Sequence, residues 1–341
     1  MLTKNETQQF KGAAILIMVF LHLFNQAHNV ALCETPFCYF GEPVVLQMSK
    51  FTQICVGLYL FLSGYGLYIS YMRSSLGNPW KRVLKLYLNF WVVFALFISL
   101  AAWIRPDRYP GSWGAILQNF TGWHTTYNGE WWFLFPYILL VLTASFLLKW
   151  MSKVKVLPLL LLTMGGYCLV YLTIWFNRDY LYSHQLAYMP ILYLDCVPSF
   201  IIGALFARED WFAKLRERVQ IKNTVQNILW LLLFAGIVFL RSLSPIAAVN
   251  IFFLVLFVCW FALVRKTGWV AWLLEKLGAQ STNMWLVHTF FCYYLFHDWI
   301  YGLKYPIVIF IVTVLLSYVS GIIIDWIAKP LQRVVINKLF K

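Results

Sequence analysis

The sequence is poor in charged residues, and especially in acidic ones. Only 12% of its 341 residues are charged, with 13 Asp and Glu against 27 Lys and Arg. A soluble domain is about one quarter charged, so this chain lacks the polar surface of a water-exposed protein. Hydrophobic residues make up 62% of the chain, which indicates surroundings that are mostly lipid.

Patterns typical of metal and nucleic-acid binding are also missing. The seven cysteines are scattered, with no CxxC pair and no Cys and His set at zinc spacing, so we expect no bound metal. The formal net charge of +14 could suggest a nucleic-acid partner. However, the cations lie in short loops between apolar runs, and no basic block alternates with exposed aromatic residues, so we expect no nucleic-acid binding.

Hydrophobic runs long enough to cross a bilayer recur along the whole chain. A transmembrane helix needs about 20 apolar residues. Hydropathy and helix breaks predict about ten spans, near 11–28, 51–72, 83–103, 131–149, 156–176, 189–207, 225–241, 246–264, 280–297 and 305–327. The predicted fold is an all-α, polytopic helical membrane bundle, a single domain over residues 1–341 without a separate soluble domain.

The loop charges predict the orientation of this bundle. If the N-terminus is cytoplasmic, 21 of the 27 Lys and Arg fall on the inner side, Lys341 among them. The outer side keeps only Lys50, Arg105, Arg108, Arg178, Arg241 and Lys304. By the positive-inside rule both termini are then cytoplasmic. Cys33 and Cys38 fall in the first outer loop, where they can either form a disulfide bond or remain free thiols.

Ionisable groups at membrane depth are costly and therefore candidates for function. The sequence places these at or near membrane depth: His22, Glu130, Asp195, His288, His297 and Asp325. For Asp325, near the inner end of its span, we expect a basic neighbour as an ion-pair partner. Ser63, Gly64 and Gly66 are small residues that we expect to allow close helix packing.

Lys11 and His22 share one face of the first span. Eleven residues at about 100° each return to within about 20° of the same direction, and they rise by about 16 Å. The ammonium group would then lie at the cytoplasmic surface and the imidazole near the middle of the bilayer. An acyl-coenzyme A could contact both groups, but a membrane-end lysine and a hydrogen-bonded bundle histidine explain the spacing equally well.

Four stretches that follow one another along the chain resemble motifs of a known family. They are Lys11 to His22; Phe61-Leu62-Ser63-Gly64-Tyr65 with Arg73, Lys81, Arg82 and Lys85 after it; Glu130-Trp131-Trp132-Phe133-Leu134; and Gly278, Ser281 and Trp285-Leu286-Val287-His288. In this order they resemble the bacterial membrane acyltransferase-3 family. Lys11 and Lys85 stand where that family usually has arginine, and lysine cannot form the same bidentate phosphate contact. Leu88 replaces a common proline.

The resemblance implies an enzyme of the bacterial cytoplasmic (plasma) membrane. Such an enzyme moves an acyl group, most commonly acetyl, from cytoplasmic acyl-CoA to a hydroxyl group of a surface or lipid-linked polysaccharide. Acetyl-CoA is then the donor substrate, and its phosphates are expected to contact Lys11, Arg73, Arg82 and Lys85. The remaining expected partners are the polysaccharide acceptor and membrane lipids.

The resemblance also implies a general base, for which His22 is the leading candidate. A histidine in hydrogen-bond reach can take the proton of a sugar hydroxyl as it attacks the thioester. Glu130 or Asp195 could orient the imidazole. His288 lies at a similar predicted depth, where it either lines the same cavity or is a packed helix contact.

Other functions compatible with the sequence remain. Charged groups within the membrane would equally line the pathway of a flippase or transporter for lipid-linked sugars. A glycan polymerase, or a membrane acyltransferase of another family with a single catalytic histidine, is a further alternative.

Overall fold

The structure, a computed structural model, describes residues 1–39 and 41–340. Lys341, one of the predicted inner cations, lies outside the described residues. The helices are α1 (Lys4–Phe24), α2 (Ala27–Val30), α3 (Val44–Thr52), α4 (Cys55–Met72), α5 (Pro79–Ile104), α6 (Trp113–Thr121), α7 (Leu134–Met151), α8 (Val156–Ser183), α9 (Gln185–Arg208), α10 (Trp211–Arg218), α11 (Thr224–Ser242), α12 (Asn250–Leu263), α13 (Gly268–Thr289), α14 (His297–Tyr301) and α15 (Pro306–Leu339). Short 3₁₀ segments at Gly129–Phe133 and Ala247–Val249 and a π-helical segment at Phe290–Tyr294 complete the helical part.

Every predicted span overlaps helical structure, which confirms the helical membrane bundle. Within residues 1–39 and 41–340, eight helical stretches are long and apolar enough to cross a membrane. They are Lys4–Phe24, Val44–Met72, Pro79–Ile104, Gly129–Met151, Val156–Ser183, Gln185–Arg208, Thr224–Ser242 and Pro306–Leu339. The other two predicted spans correspond to the shorter apolar stretch Ala247–Leu263 and to α13. The predicted span at 280–297 is not one regular helix, because α13 ends at Thr289 and passes into the π-helical segment.

A small hairpin forms part of the segment after α2. Strand β1 (Cys38–Tyr39) pairs antiparallel with β2 (Glu42–Pro43), with Cys38 opposite Pro43. Both Cys33 and Cys38 are free thiols. The Cys33 thiol points back to α2, 3.6 Å from the Asn29 carbonyl oxygen. Of the two alternatives left open by the sequence, the structure therefore has the unpaired one.

Local sequence signals explain where the site-bearing helix α1 begins. Thr3 is its N-cap, and its hydroxyl accepts a hydrogen bond from the Glu6 amide at 3.1 Å. The Glu6 carboxylate in turn accepts the Thr3 amide at 2.8 Å. This reciprocal capping box satisfies two amides that a helix start would otherwise leave unpaired, so it fixes the start of α1.

Glycines set the distance between α1 and α13, which lie side by side in parallel. A Cβ atom on Gly12 would lie 2.0 Å from the Leu274 carbonyl oxygen, and one on Gly278 would lie 2.0 Å from the Gln8 carbonyl oxygen. Each glycine therefore receives the backbone of the other helix, as small residues do in membrane helix pairs. The close approach brings the last turns of the two helices together at the same depth.

The pair α4 and α9 repeats this reciprocal contact. A Cβ on Gly64 would overlap the Phe200 carbonyl, and one on Gly203 would overlap the Phe61 carbonyl. The prediction of close packing is confirmed for Gly64. It is wrong for Gly66, which has open space around it and lines a cavity, because its face of α4 does not meet another helix.

The helices differ strongly in how much of their surface the bundle covers. In α9, 67% of its apolar stretch of 18 residues is buried inside the bundle, whereas the corresponding 18-residue stretches of α8, α11 and α15 are 17%, 11% and 28% buried. The latter three helices therefore present most of their apolar side chains to lipid, while α1, α4, α9 and α13 form the centre. Three of the candidate ionisable residues, His22, Asp195 and His288, lie on helices of this central group.

The orientation stays a prediction, and cysteine labelling tests it. In a variant cleared of native cysteines, cysteines introduced next to Arg105, Arg178 or Lys304 should react with a membrane-impermeant reagent in intact cells. Those introduced next to Lys153 or Lys214 should react only after permeabilisation, because the positive-inside rule keeps these loops cytoplasmic. Labelling of the Lys153 or Lys214 positions in intact cells would contradict the orientation.

Candidate active site

Two histidines meet where α1 and α13 end. His22 lies in the last turn of α1 and His288 in the last turn of α13. Their rings are joined by a hydrogen bond of 2.7 Å between His22 Nδ1 and His288 Nε2. His288 is fully buried and His22 is 8% exposed. The structure therefore brings together two imidazoles that the sequence separates by 266 residues.

The hydrogen bonds around His288 determine its tautomer. Its Nδ1 lies 2.9 Å from the Trp285 carbonyl oxygen and 3.1 Å from that of Met284. Carbonyl oxygens only accept, so Nδ1 carries a proton and a neutral His288 has a lone pair on Nε2. That lone pair accepts the Nδ1–H of His22. His288 thus fixes the orientation of the His22 ring.

Glu130 contacts the other nitrogen of His22. Its Oε2 atom lies 3.1 Å from His22 Nε2. Because Nδ1 of His22 already donates to His288, a single proton must lie between Nε2 and the Glu130 carboxyl group. The pair is either imidazolium with carboxylate or neutral imidazole with carboxylic acid. In both forms Glu130, His22 and His288 make one continuous hydrogen-bonded chain.

The 3₁₀ segment that carries Glu130 is attached to the end of α13. Trp285 Nε1 donates to the Glu130 carbonyl oxygen at 3.2 Å, and Trp131 Nε1 donates to the Leu286 carbonyl oxygen at 2.9 Å. Asn128, fully buried, exchanges two hydrogen bonds with the Thr289 hydroxyl at 2.8 and 3.0 Å. These contacts position Glu130. Nothing in the sequence indicated the role of Asn128, because its partner Thr289 is 161 residues away.

His22 and Glu130 open onto a cavity of about 340 Å³, which we name the histidine cavity. Asp195 lines the same cavity from α9. The structure thus brings both candidate carboxylates to one space, but only Glu130 contacts His22. The lining of the histidine cavity also includes Asn25, Gln53, Trp132, Tyr167, Tyr171, Ser199 and Asn250.

A second cavity of about 460 Å³, the basic cavity, contains three of the four expected donor contacts. Lys11, Arg82 and Lys85 all line it, at the ends of α1 and α5 that we predict to be cytoplasmic. Arg73 is not part of this group. It is the C-cap residue of α4, and its side chain is exposed rather than turned into the cavity lining.

Met18, Phe133 and Trp285 line both cavities, and we name these three residues the septum. The Phe133 and Trp285 rings meet edge to face at a centroid distance of 5.6 Å. Lys11 and His22 therefore share a face of α1 as predicted but open onto different cavities. The septum is the part of the wall that the two cavities share.

The remaining ionisable candidates lie outside both cavities. Asp325 forms an ion pair with Lys329 at 2.6 Å, which confirms the predicted basic neighbour. His297 contacts Asp298 at 2.8 Å and Asn29 at 3.0 Å. Within the described residues, no group of three or more His, Cys, Asp or Glu could hold a metal ion.

Comparison with protein families decides the classification. The family model described as an acyltransferase domain, Acyl_transf_3, matches residues 8–326, which include the histidine pair and, apart from Thr7, every residue that lines the two cavities. The chain belongs to the acyltransferase-3 family. It is therefore a membrane acyltransferase, as the four sequence motifs indicated. No match to this acyltransferase was found among curated proteins or among solved structures.

Proposed function

We propose that this acyltransferase moves an acetyl group from cytoplasmic acetyl-CoA to a hydroxyl group of a cell-surface or lipid-linked glycan, in the bacterial plasma membrane. One observation carries the proposal. A basic cavity suited to an anionic donor and a histidine cavity suited to a hydroxyl acceptor share the septum as a common part of their walls. A thioester and a hydroxyl group can therefore approach each other from opposite sides.

Donor binding is assigned to the basic cavity. Phosphate groups form charge-assisted hydrogen bonds with lysine and arginine side chains, and Lys11, Arg82 and Lys85 supply such donors around one space. Apolar side chains such as Leu62 and Val83 also line this cavity and suit the aliphatic part of the donor. The thioester would then lie against the septum.

His22 is assigned as the general base for the acceptor hydroxyl. The hydroxyl replaces Glu130 as the partner of His22 Nε2, and the shared proton stays on Glu130. As the hydroxyl oxygen bonds to the thioester carbonyl carbon, its proton passes to Nε2. The carbon–sulfur bond then breaks, and Glu130 gives its proton to the departing thiolate.

These steps conserve protons. The products are an ester and the free thiol of coenzyme A, and the His22 and Glu130 pair is left as imidazolium with carboxylate. That form differs from the starting pair only in which group holds the shared proton. His288 stays bonded to His22 Nδ1 and stabilises the imidazolium, as the third member of a catalytic triad does.

Label transfer tests the proposed function. Membranes that contain the protein, given acetyl-CoA labelled in the acetyl group, should yield labelled cell-envelope glycan. Membranes with the same protein carrying His22→Ala should yield almost none. Movement of lipid-linked sugar across the membrane without any label in glycan would instead support a flippase and contradict the proposal.

The donor assignment predicts selective losses of acetyl-CoA affinity. Arg82→Ala and Lys11→Ala should each weaken binding by about 10- to 100-fold, because each removes a charge-assisted hydrogen bond contributing roughly 1.5 to 3 kcal/mol. Lys11→Arg should retain or improve binding, since arginine offers a planar fork to phosphate. Calorimetry on purified protein measures these affinities.

Lys153→Ala is the matched control for the donor experiment. Lys153 is an exposed cation on the same predicted side of the membrane, but it does not line the basic cavity. It should leave the dissociation constant of acetyl-CoA unchanged. Equal losses of acetyl-CoA affinity in Lys153→Ala and Arg82→Ala would show that only the net charge of the protein matters. Unchanged affinity in both Arg82→Ala and Lys11→Ala would show that the basic cavity does not bind the donor.

A further inference from the structure

The lining of the histidine cavity also carries polar groups that the proposed transfer does not use. Asp195 lies ten residues into α9, at membrane depth, and lines the cavity. Within the described part of the chain its carboxyl group has no hydrogen bond and no ion pair. A carboxyl group without a partner in a membrane interior is costly, so a ligand that bonds to it would remove that cost.

Gln53 lines the same cavity, and its amide group is held in one orientation. Its Oε1 atom accepts a hydrogen bond from Arg241 at 2.9 Å and one from Asn250 Nδ2 at 3.3 Å. The oxygen therefore faces the guanidinium group, and the Nε2 amide is left to donate elsewhere. Within the described residues this NH₂ group has no partner, so it is available to a ligand in the cavity.

Arg241 is the residue that maintains this arrangement. It is 1% exposed, and its guanidinium group donates to the oxygens of Asn250 at 2.7 Å, Ser244 at 2.6 Å and Gln53 at 2.9 Å. A guanidinium group only donates, so it forces the oxygens of both neighbouring amides toward itself. The amides of Gln53 and Asn250 must then present nitrogen rather than oxygen on their other side.

A hydrogen-bond acceptor and a hydrogen-bond donor thus stand on the cavity wall, beside two tyrosines. The rings of Tyr167 and Tyr171 lie 4.7 Å apart and both line the cavity. The volume of about 340 Å³ is at the lower end of the range of about 300 to 1,000 Å³ typical of small-molecule sites. That size fits one small ring rather than an extended chain.

We propose that Asp195 and Gln53 form the acceptor subsite, which selects a polyhydroxylated sugar residue by bonding hydroxyl groups other than the one that is acylated. Asp195 accepts a hydrogen bond from one hydroxyl group, and Gln53 Nε2 donates to another. These contacts hold the sugar while a further hydroxyl group faces His22. The subsite rests on the proposed function, because it places the acceptor in the histidine cavity.

The subsite makes the affinity for sugar depend on polar groups that do not touch the donor. A site built to bond hydroxyl groups rejects analogues that lack them, since its own polar groups are then left unpaired. Wild-type protein should therefore transfer label to methyl glycosides far more efficiently than to cyclohexylmethanol, which offers a single hydroxyl group on a ring of similar size.

The decisive experiment compares Asp195→Ala and Gln53→Glu with wild type, using labelled acetyl-CoA and methyl glycosides. Asp195→Ala should raise the KM for methyl glycoside by about 10- to 100-fold, as expected for a lost hydrogen bond to a charged group. Gln53→Glu keeps the bond from Arg241 but replaces the amide donor with an acceptor, so it should also raise this KM. The dissociation constant of acetyl-CoA should not change in any variant.

Asp179→Ala is the control with the same chemical change as Asp195→Ala, since Asp179 is exposed near the C-terminal end of α8 and does not line either cavity. Its KM should equal that of wild type. If wild-type protein labels glycan but both Asp195→Ala and Gln53→Glu keep the wild-type KM for methyl glycoside, the subsite alone is overturned. Failure of wild-type protein to label any glycan or glycoside while it binds acetyl-CoA would overturn the proposed function, and the subsite with it.

Discussion

Replacing His22 by alanine should reduce the turnover of acyl transfer by about 10²- to 10⁴-fold, the usual contribution of a positioned general base. The dissociation constant of acetyl-CoA should stay near the wild-type value, because His22 opens onto the histidine cavity and Lys11, Arg82 and Lys85 remain in place. A loss in turnover without a loss in donor affinity would show that the two ends of α1 have different roles, with His22 acting in acyl transfer and Lys11 in donor binding. Single-turnover label transfer and calorimetry on the same purified protein measure both quantities.

The control for this experiment has to separate chemistry from folding. His124→Ala removes an exposed histidine that lines neither cavity, so it should leave turnover unchanged. Thermal melting of each variant shows whether the loss of the contact with His288 has unfolded the protein. A well-folded His22→Ala variant with wild-type turnover would refute the assignment of His22 as base and make His288 the next candidate.

The general architecture and the main candidate site residues were accessible from the sequence. Hydropathy located most of the long helices of the bundle, because the length of an apolar run reports directly on the thickness of the bilayer, but its span at 280–297 covered only the last part of α13. The spacing of Lys11 and His22 predicted a shared helix face, since helical geometry is local. His288 could be related to His22 only by the resemblance and by depth, because no local rule pairs α1 with α13.

The division into two cavities was not accessible in the same way. The septum exists because Phe133 and Trp285 meet across elements that are far apart in the sequence. The anchoring of Glu130 through Asn128 and Trp131 likewise depends on contacts with the end of α13. Arg73 shows the reverse problem, since it holds a motif position but lies on an exposed helix end.

Adding a single methyl group to Gly278 should separate the two helices that carry the histidines. The Cβ of Gly278→Ala would lie 2.0 Å from the Gln8 carbonyl oxygen and 3.0 Å from the Gly12 nitrogen. Both neighbours belong to the backbone of α1, which cannot rotate away as a side chain can. The substitution would favour an isolated helix by about 1 kcal/mol, but overpacking of this kind typically costs 1 to 3 kcal/mol and sometimes more.

The clash should therefore outweigh the gain in helix propensity, so Gly278→Ala should lower the melting temperature. It should also reduce turnover by at least about tenfold, because the 2.7 Å contact between His22 and His288 depends on the same helix pair. Gly166→Ala is the matched control, since Gly166 is exposed on α8 with no atom within 4 Å of an added Cβ. It should melt at or above the wild-type temperature with full turnover. If Gly278→Ala behaves like Gly166→Ala, then α1 and α13 can separate without cost, and the glycine contact does not hold the histidine pair together.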